Sequence, residues 1–169
     1  MKNISLILAL ISFVFITSCN AVNVTSDYDR SANFTSYKTY SFHQKGLEKL
    51  SINDLDKNRI ISSIDREMAT KGFTKVSANS DLIVNILASS SQEVRVDNDM
   101  YRYGYWGGYQ NVSDYTAGKI IIDIIDDKRN ILVWQGVGSD LNLSNVAAKN
   151  EKIPQAINEI LAKFPPQVK

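Results

Sequence analysis

The chain has 169 residues, with 19 Lys+Arg against 18 Asp+Glu for a net charge of +1, one cysteine and one histidine. Balanced charge supplies no general field for nucleic acid, and a lone thiol excludes an internal disulfide, so a hydrophobic core must hold the fold. The length is that of one ordinary domain.

Lys2 and Asn3 precede an apolar run from Ile4 to Ile16, and the segment closes on Ile16-Thr17-Ser18-Cys19. The run has the length of a secretory h-region and is too short to span a bilayer, so residues 1–18 read as a cleaved signal peptide. Thr17 and Ser18 fit a tight peptidase site, and Cys19 offers the only thiol for acylation, the pattern of a bacterial lipoprotein. Each buried methylene contributes about 0.8 kcal/mol, and the several chains of a processed lipoprotein make such attachment effectively permanent. Cleavage removes Lys2 and leaves 18 Lys+Arg against 18 Asp+Glu, a mature net charge of zero. Asn20 and Ala21 follow the cysteine, with no Asp of the kind that retains lipoproteins at the inner membrane. An outer-membrane, periplasm-facing destination is expected.

Residues 19–33 are polar and small, a lipidated tether with room for an edge strand, and residues 34–169 form the expected domain. Tyr37 to Phe42 alternates aromatic or branched residues with polar ones, as a half-buried strand does. Gly46 to Asn53 reads as a loop, and Ser51-Ile52-Asn53-Asp54 has capping-box spacing ahead of a helix from about Asp54 to Lys71. Leu55, Ile61, Ile64 and Met68 form its apolar stripe, with Gly72 as a left-handed C-cap. Strands are expected at Phe73 to Ser77 and Asp81 to Val96, the latter with Leu82, Val84 and Ile86 on one face and an outer half projecting from the sheet. Lys119 to Asp126 and Ile131 to Val137 are two β-rich runs joined by the polar turn Asp127-Lys128-Arg129-Asn130, an antiparallel hairpin. Ser144 to Asn150 reads as a polar or weakly helical connection, with Pro154 in the first turn of a last helix carrying Ile157, Ile160, Leu161 and Phe164 before Pro165-Pro166. This order predicts an α+β two-layer sandwich, a mainly antiparallel sheet with two helices on one face.

Several of these residues resemble the Gram-negative lipoproteins grouped as domain of unknown function 4136. The resemblance is carried by Asp27-Tyr28-Asp29, Phe34, Tyr37-Lys38-Thr39-Tyr40, Asp81-Leu82-Ile83-Val84-Asn85, and Gly118 to Asp123 with Asp126. It continues through Leu132-Val133-Trp134-Gln135-Gly136, Ile160-Leu161 and Phe164-Pro165-Pro166, and so covers nearly all of the mature chain. It implies an α+β envelope domain and carries no catalytic residues with it.

The strongest functional signal is the loop Tyr101-Arg102-Tyr103-Gly104-Tyr105-Trp106-Gly107-Gly108-Tyr109. Tyr and Trp give large contact area at low entropy cost, Gly supplies adaptable backbone, and aromatic faces stack on sugar rings. Tyr101, Tyr103, Tyr105, Trp106 and Tyr109 are therefore the candidate binding residues, the competing reading being a hairpin tip whose aromatics fold back on the sheet. Asp97-Asn98-Asp99 begins like a calcium loop, yet Arg102 stands where that loop needs Gly and Gly108 where it needs Glu. His43 alone gives no zinc set and is the only base for a serine triad. Asp123, Asp126 and Asp127 imitate the paired carboxylates of a glycosidase, but turn and strand-edge solvation explains them better. No catalytic, metal or cofactor residues are assigned. The expectation is a non-enzymatic outer-membrane lipoprotein, a binding or assembly module held to the membrane through Cys19, with an envelope protein or glycan as partner. The alternative is an enzyme acting on cell-wall or surface glycan.

Overall fold

The computed structural model describes residues 22–96 and 112–167, apart from the side chains of residues 90–96 and 112–117. Its elements are β1 (Asn23–Tyr28), a 3-10 turn (Phe34–Ser36), β2 (Thr39–Phe42), α1 (Gln44–Glu48), α2 (Asp54–Thr70), β3 (Thr74–Lys75), β4 (Leu82–Val96), β5 (Val112–Asp126), β6 (Ile131–Asn142) and α3 (Val146–Leu161). The strands form one six-stranded sheet in the order β1-β6-β5-β4-β2-β3. The pairings β1–β6, β6–β5 and β5–β4 are antiparallel, whereas β2 runs parallel to both β4 and β3. The sheet is thus mainly antiparallel, as expected, with a parallel margin. That margin arises because α2 returns the chain across the sheet between β2 and β3, which a tight turn cannot do.

Strand alternation divides the sheet into two unlike faces. Tyr40, Phe42, Leu82, Val84, Ile86, Ile120, Ile122, Ile124 and Trp134 are buried on the face beneath α2 and α3, together with Ile60, Ile64, Met68, Ile153, Ile157, Ile160 and Leu161 of the helices. On the opposite face Asn85, Asp123 and Gln135 lie side by side on β4, β5 and β6. Gln135 Nε2 donates to Asp123 Oδ1 at 2.7 Å and Asn85 Nδ2 to Asp123 Oδ2 at 3.4 Å.

Close approach of α3 to β6 depends on glycine. A Cβ on Gly136 would lie 2.6 Å from Ile160 Cγ2 and would overlap Trp134 Cη2, and one on Gly138 would lie 2.8 Å from Ile160 Cδ1. The Trp134 ring can therefore lie along its own strand, where it meets Phe164 at 5.3 Å between centroids.

Several details differ from the expectation. The expected loop from Gly46 to Asn53 begins inside the short helix α1, which runs from Gln44 to Glu48. The cap of α2 is Asn53, whose side chain accepts from the Asp56 N–H at 2.9 Å and donates to Asp56 Oδ2 at 2.6 Å, so the reciprocal cap lies two residues beyond Ser51–Asp54. Leu55 is 68% exposed and Ile61 only partly buried, whereas Ile64 and Met68 are buried as expected and are joined in the stripe of α2 by Ile60 and Ser63. Gly72, at φ +83, is the left-handed residue after the helix, as its position indicates. The strand at Phe73 to Ser77 contracts to Thr74–Lys75. Helix α3 starts at Val146, capped by Asn145, and passes through Pro154 in its interior, because cap and buried stripe outweigh one missing N–H. The tether supplies an edge strand, β1, on the outer side of β6.

Ile122→Ala, at a wholly buried position, is expected to cost about 2 to 5 kcal/mol. Gly136→Ala adds only a methyl group yet is expected to cost about 1 to 3 kcal/mol by overpacking. Urea denaturation midpoints check both.

Candidate functional site

The residues singled out in the sequence scatter. Cys19 and the aromatics at 101, 103, 105, 106 and 109 lie outside the described residues, as do Asp97, Asn98 and Asp99. β4 and β5 stay paired as far as Val96↔Val112, whereas β6 last pairs with β5 at Ala117↔Asn142. A two-stranded arm thus continues beyond the covered sheet by five residue pairs, roughly 16 Å, and residues 97–111 join its ends. β1 begins at the same end of the sheet, since Asn23 pairs with Ser139.

The three aspartates of the hairpin do not form a pair. Asp123 is held on the open face by Asn85 and Gln135. Asp126, three residues on and hence on the other face, is buried; its Oδ2 accepts from Tyr37 Oη at 2.8 Å and Arg129 Nε at 2.8 Å, and its Oδ1 accepts from the Arg129 N–H at 2.8 Å. Burial acts to raise the Asp126 pKa, but the Arg129 N–H, the Tyr37 hydroxyl and the Arg129 guanidinium outweigh it and hold the group below the usual carboxylate value. Asp127 receives Ser80 Oγ at 3.3 Å. His43 Nδ1 is 3.2 Å from Asn85 Oδ1 on the open face, a hydrogen-bonded strand-end histidine as the simpler reading has it. Among the described residues no group of three or more His, Cys, Asp or Glu could hold a metal ion.

Clefts open at each end of the helical layer, and another, of about 400 Å³ between α1 and β4, is lined by His43, Lys45 and Lys49 among others. At the root of the arm, Ile60, Ile120 and Ile153 underlie a space of about 240 Å³ bordered by Asp56, Lys149 and Lys119. Asp56 accepts from Lys149 Nζ at 2.8 Å and Arg59 Nη1 at 2.6 Å, which ties α2 to α3. Burial again works to raise its pKa, and bonds from Lys149, Asn53 and Arg59 lower it on balance. At the far end a cleft of about 480 Å³ is lined by Phe34, Tyr37, Lys38, Lys71, Phe73 and Pro165, among others. Its apolar parts meet on Phe164, 6.0 Å from Phe34 and 5.5 Å from Phe73 between centroids. Asp81 anchors one side by accepting the N–H groups of Lys38 and Thr39 at 2.9 and 3.0 Å, bonds that lower its pKa. Thr74 N donates to Lys38 O at 2.9 Å and joins that side to the end of α2. This cleft has no contiguous signature in the sequence; its signal is the clustering of Phe34, Tyr37-Lys38 and Phe164-Pro165-Pro166 among the residues that carry the resemblance.

The fold and these converging segments belong to a class of α+β domain with a known sequence signature. The model of the Domain of unknown function (DUF4136) matches residues 24–166, and the chain belongs to that family. No curated protein matches the sequence significantly. Among solved structures, a PDZ domain protein from Parabacteroides distasonis is similar with a TM-score of 0.56 and 15% identity, covering 86% of this chain and 36% of that one, so this chain spans about a third of its length. PelC from Paraburkholderia phytofirmans, solved as a dodecamer, gives a TM-score of 0.53 at 11% identity over 84% of this chain and 95% of PelC. A Helicobacter pylori protein assigned as a neuraminyllactose-binding hemagglutinin homolog gives 0.50 at 9% identity, covering 84% and 94%. At these identities the likenesses show the fold alone.

Asp126 and Asp56, with folded pKa values lowered, stabilise the protein fully above the unfolded carboxylate pKa of about 4 and lose that contribution as pH falls toward the folded values. The stability advantage of the native chain over Asp126→Asn is therefore expected to be full at neutral pH and to vanish in acid. Urea titrations of both proteins across that range check it.

Proposed function

We propose that this protein is a lipid-anchored, non-enzymatic envelope module that recognises a partner through the aromatic loop at the end of its β4–β5 arm. The observation that carries this reading is the strand register: the β4–β5 pair continues past the last partner of β6, so Val96 and Val112, the ends that residues 97–111 connect, are paired beyond the helix-covered sheet. Loops held out on a rigid scaffold are where recognition concentrates. The density of Tyr101, Tyr103, Tyr105, Trp106 and Tyr109 suits a contact surface.

An orientation follows from the anchor. Cys19 precedes Asn23 by four residues, a reach of at most about 14 Å, and Asn23 lies at the arm end of the sheet. A lipid on Cys19 therefore holds the arm toward the anchoring membrane, so the partner is an envelope protein or glycan at the surface of that outer membrane. Against the enzyme alternative, the two buried carboxylates among the described residues, Asp56 and Asp126, are both held ionised by dedicated donors and stand at opposite ends of the fold. A glycosidase needs a neutral acid within about 5 to 10 Å of a second carboxylate.

Two results test the reading. Cys19→Ala is expected to abolish acylation and leave an unprocessed or soluble chain, and unchanged partition into the detergent phase would refute the anchor. Replacing Tyr103, Tyr105 and Trp106 together by Ala is expected to leave the melting temperature intact while removing crosslinks formed in intact cells. Unfolding of the triple variant would show that these aromatics are core residues, and retention of the same crosslinked partner would place recognition elsewhere.

A further inference from the structure

We infer that the cleft at the end of the fold opposite the arm is a second binding site, specific for a saccharide bearing a single carboxylate. Its interior is rigid and apolar: Phe34, Tyr37 and Phe73 are buried, Phe164 stands behind two of them, and Pro165 and Pro166 close one side. The Tyr37 ring is fixed at its far end, since its hydroxyl donates to Asp126 and receives Arg129 Nη2 at 3.0 Å. Concave space of a few hundred Å³ with ring walls and few polar groups suits a compact ligand, and the apolar face of a sugar packs well on aromatic edges and proline.

The rim supplies the charge. Lys38 and Lys71 both line the cleft, no carboxylate does, and neither lysine has an ion pair among the described residues. Eight other Lys and Arg side chains are paired; Lys45 and Lys49, at a cleft beside β4, likewise have no ion pair among the described residues, so what sets this cleft apart is the aromatic wall of Phe34, Tyr37 and Phe73 beside its two cations. Asn33 and Thr35 add neutral hydrogen-bonding groups for hydroxyls. The charge of the ligand is limited by α2, which ends at Thr70 beside Lys71 and turns its carbonyl end toward the cleft. That negative helix terminus offsets part of the lysine charge and disfavours a dianion such as a phosphate monoester, while two ammonium groups still accommodate one carboxylate. No helix N-terminus or arginine fork of the kind that recognises phosphate lines the site.

The test uses the full chain in detergent, titrated calorimetrically with cellobiouronic acid and with cellobiose, which differ in one carboxylate. Saturable binding of the acid is expected, at least about tenfold tighter than cellobiose and weakening as salt screens the rim. Lys38→Gln with Lys71→Gln is expected to bring the acid down to the cellobiose level while leaving the melting temperature unchanged, since the two ammonium groups form no ion pair. No binding of cellobiouronic acid, binding unchanged in the double variant, or equal binding of a tetra-aspartate peptide would each overturn the proposal. Cys19→Ala binding the acid as the native chain does is expected too, because the cleft is independent of the anchor; loss in that variant alone would also overturn it.

Discussion

The structure depends on how closely α3 lies on β6. Gly136 and Gly138 form a shallow trough on the covered face, Ile160 fills it, and Trp134 occupies the space that a side chain at 136 would take. Glycine in a strand interior normally weakens it. Here that cost is offset because the helix approaches the backbone itself, burying Ile157, Ile160 and Leu161 completely. The same approach brings Phe164, just beyond the helix, into contact with Trp134, Phe34 and Phe73. One packing decision on β6 therefore fixes the aromatic cluster that gives the far cleft its shape.

Both long helices also run in the same sense, from the arm end toward that cluster. At their starts Lys149 and Arg59 bridge to Asp56, and Arg59 Nε donates to Asn150 Oδ1 at 2.7 Å, so polar bonds tie the helices where the core thins. At their ends the contacts are aromatic. Helix α2, at 1.5 Å per residue over 17 residues, separates the two regions by about 25 Å. A partner engaged near the anchor and a ligand in the far cleft would thus not compete for space.

Much of the architecture was legible in the chain. The alternation of Ile120, Ile122 and Ile124 gave the buried face of β5, and the polar turn after it gave the hairpin, because period-two burial survives any tertiary context. Helix limits were less so: Pro154 suggested a first-turn position, yet Asn145 captures the Ala148 N–H at 2.8 Å and the helix starts at Val146, well before Pro154. Leu55 misled for a similar reason, since apolar spacing cannot say which stripe a neighbouring helix will cover, and α3 covers Ile60 and Ile64. The parallel margin was not legible because strand direction is set by where α2 deposits the chain.

The far cleft was hidden for a deeper reason. Its parts come from four separated segments, around Phe34, Lys38, Lys71 and Pro165, and each has a sufficient local explanation: a core aromatic, a strand-edge lysine, a helix C-cap and a helix stop. Only their convergence distinguishes them, and convergence is a product of α3 settling into the glycine trough. The aromatic segment proposed for recognition, by contrast, announces itself in composition, because consecutive residues need no fold to bring them together. Function read from a sequence alone is thus biased toward contiguous sites, whereas a site assembled by packing declares itself only in the fold.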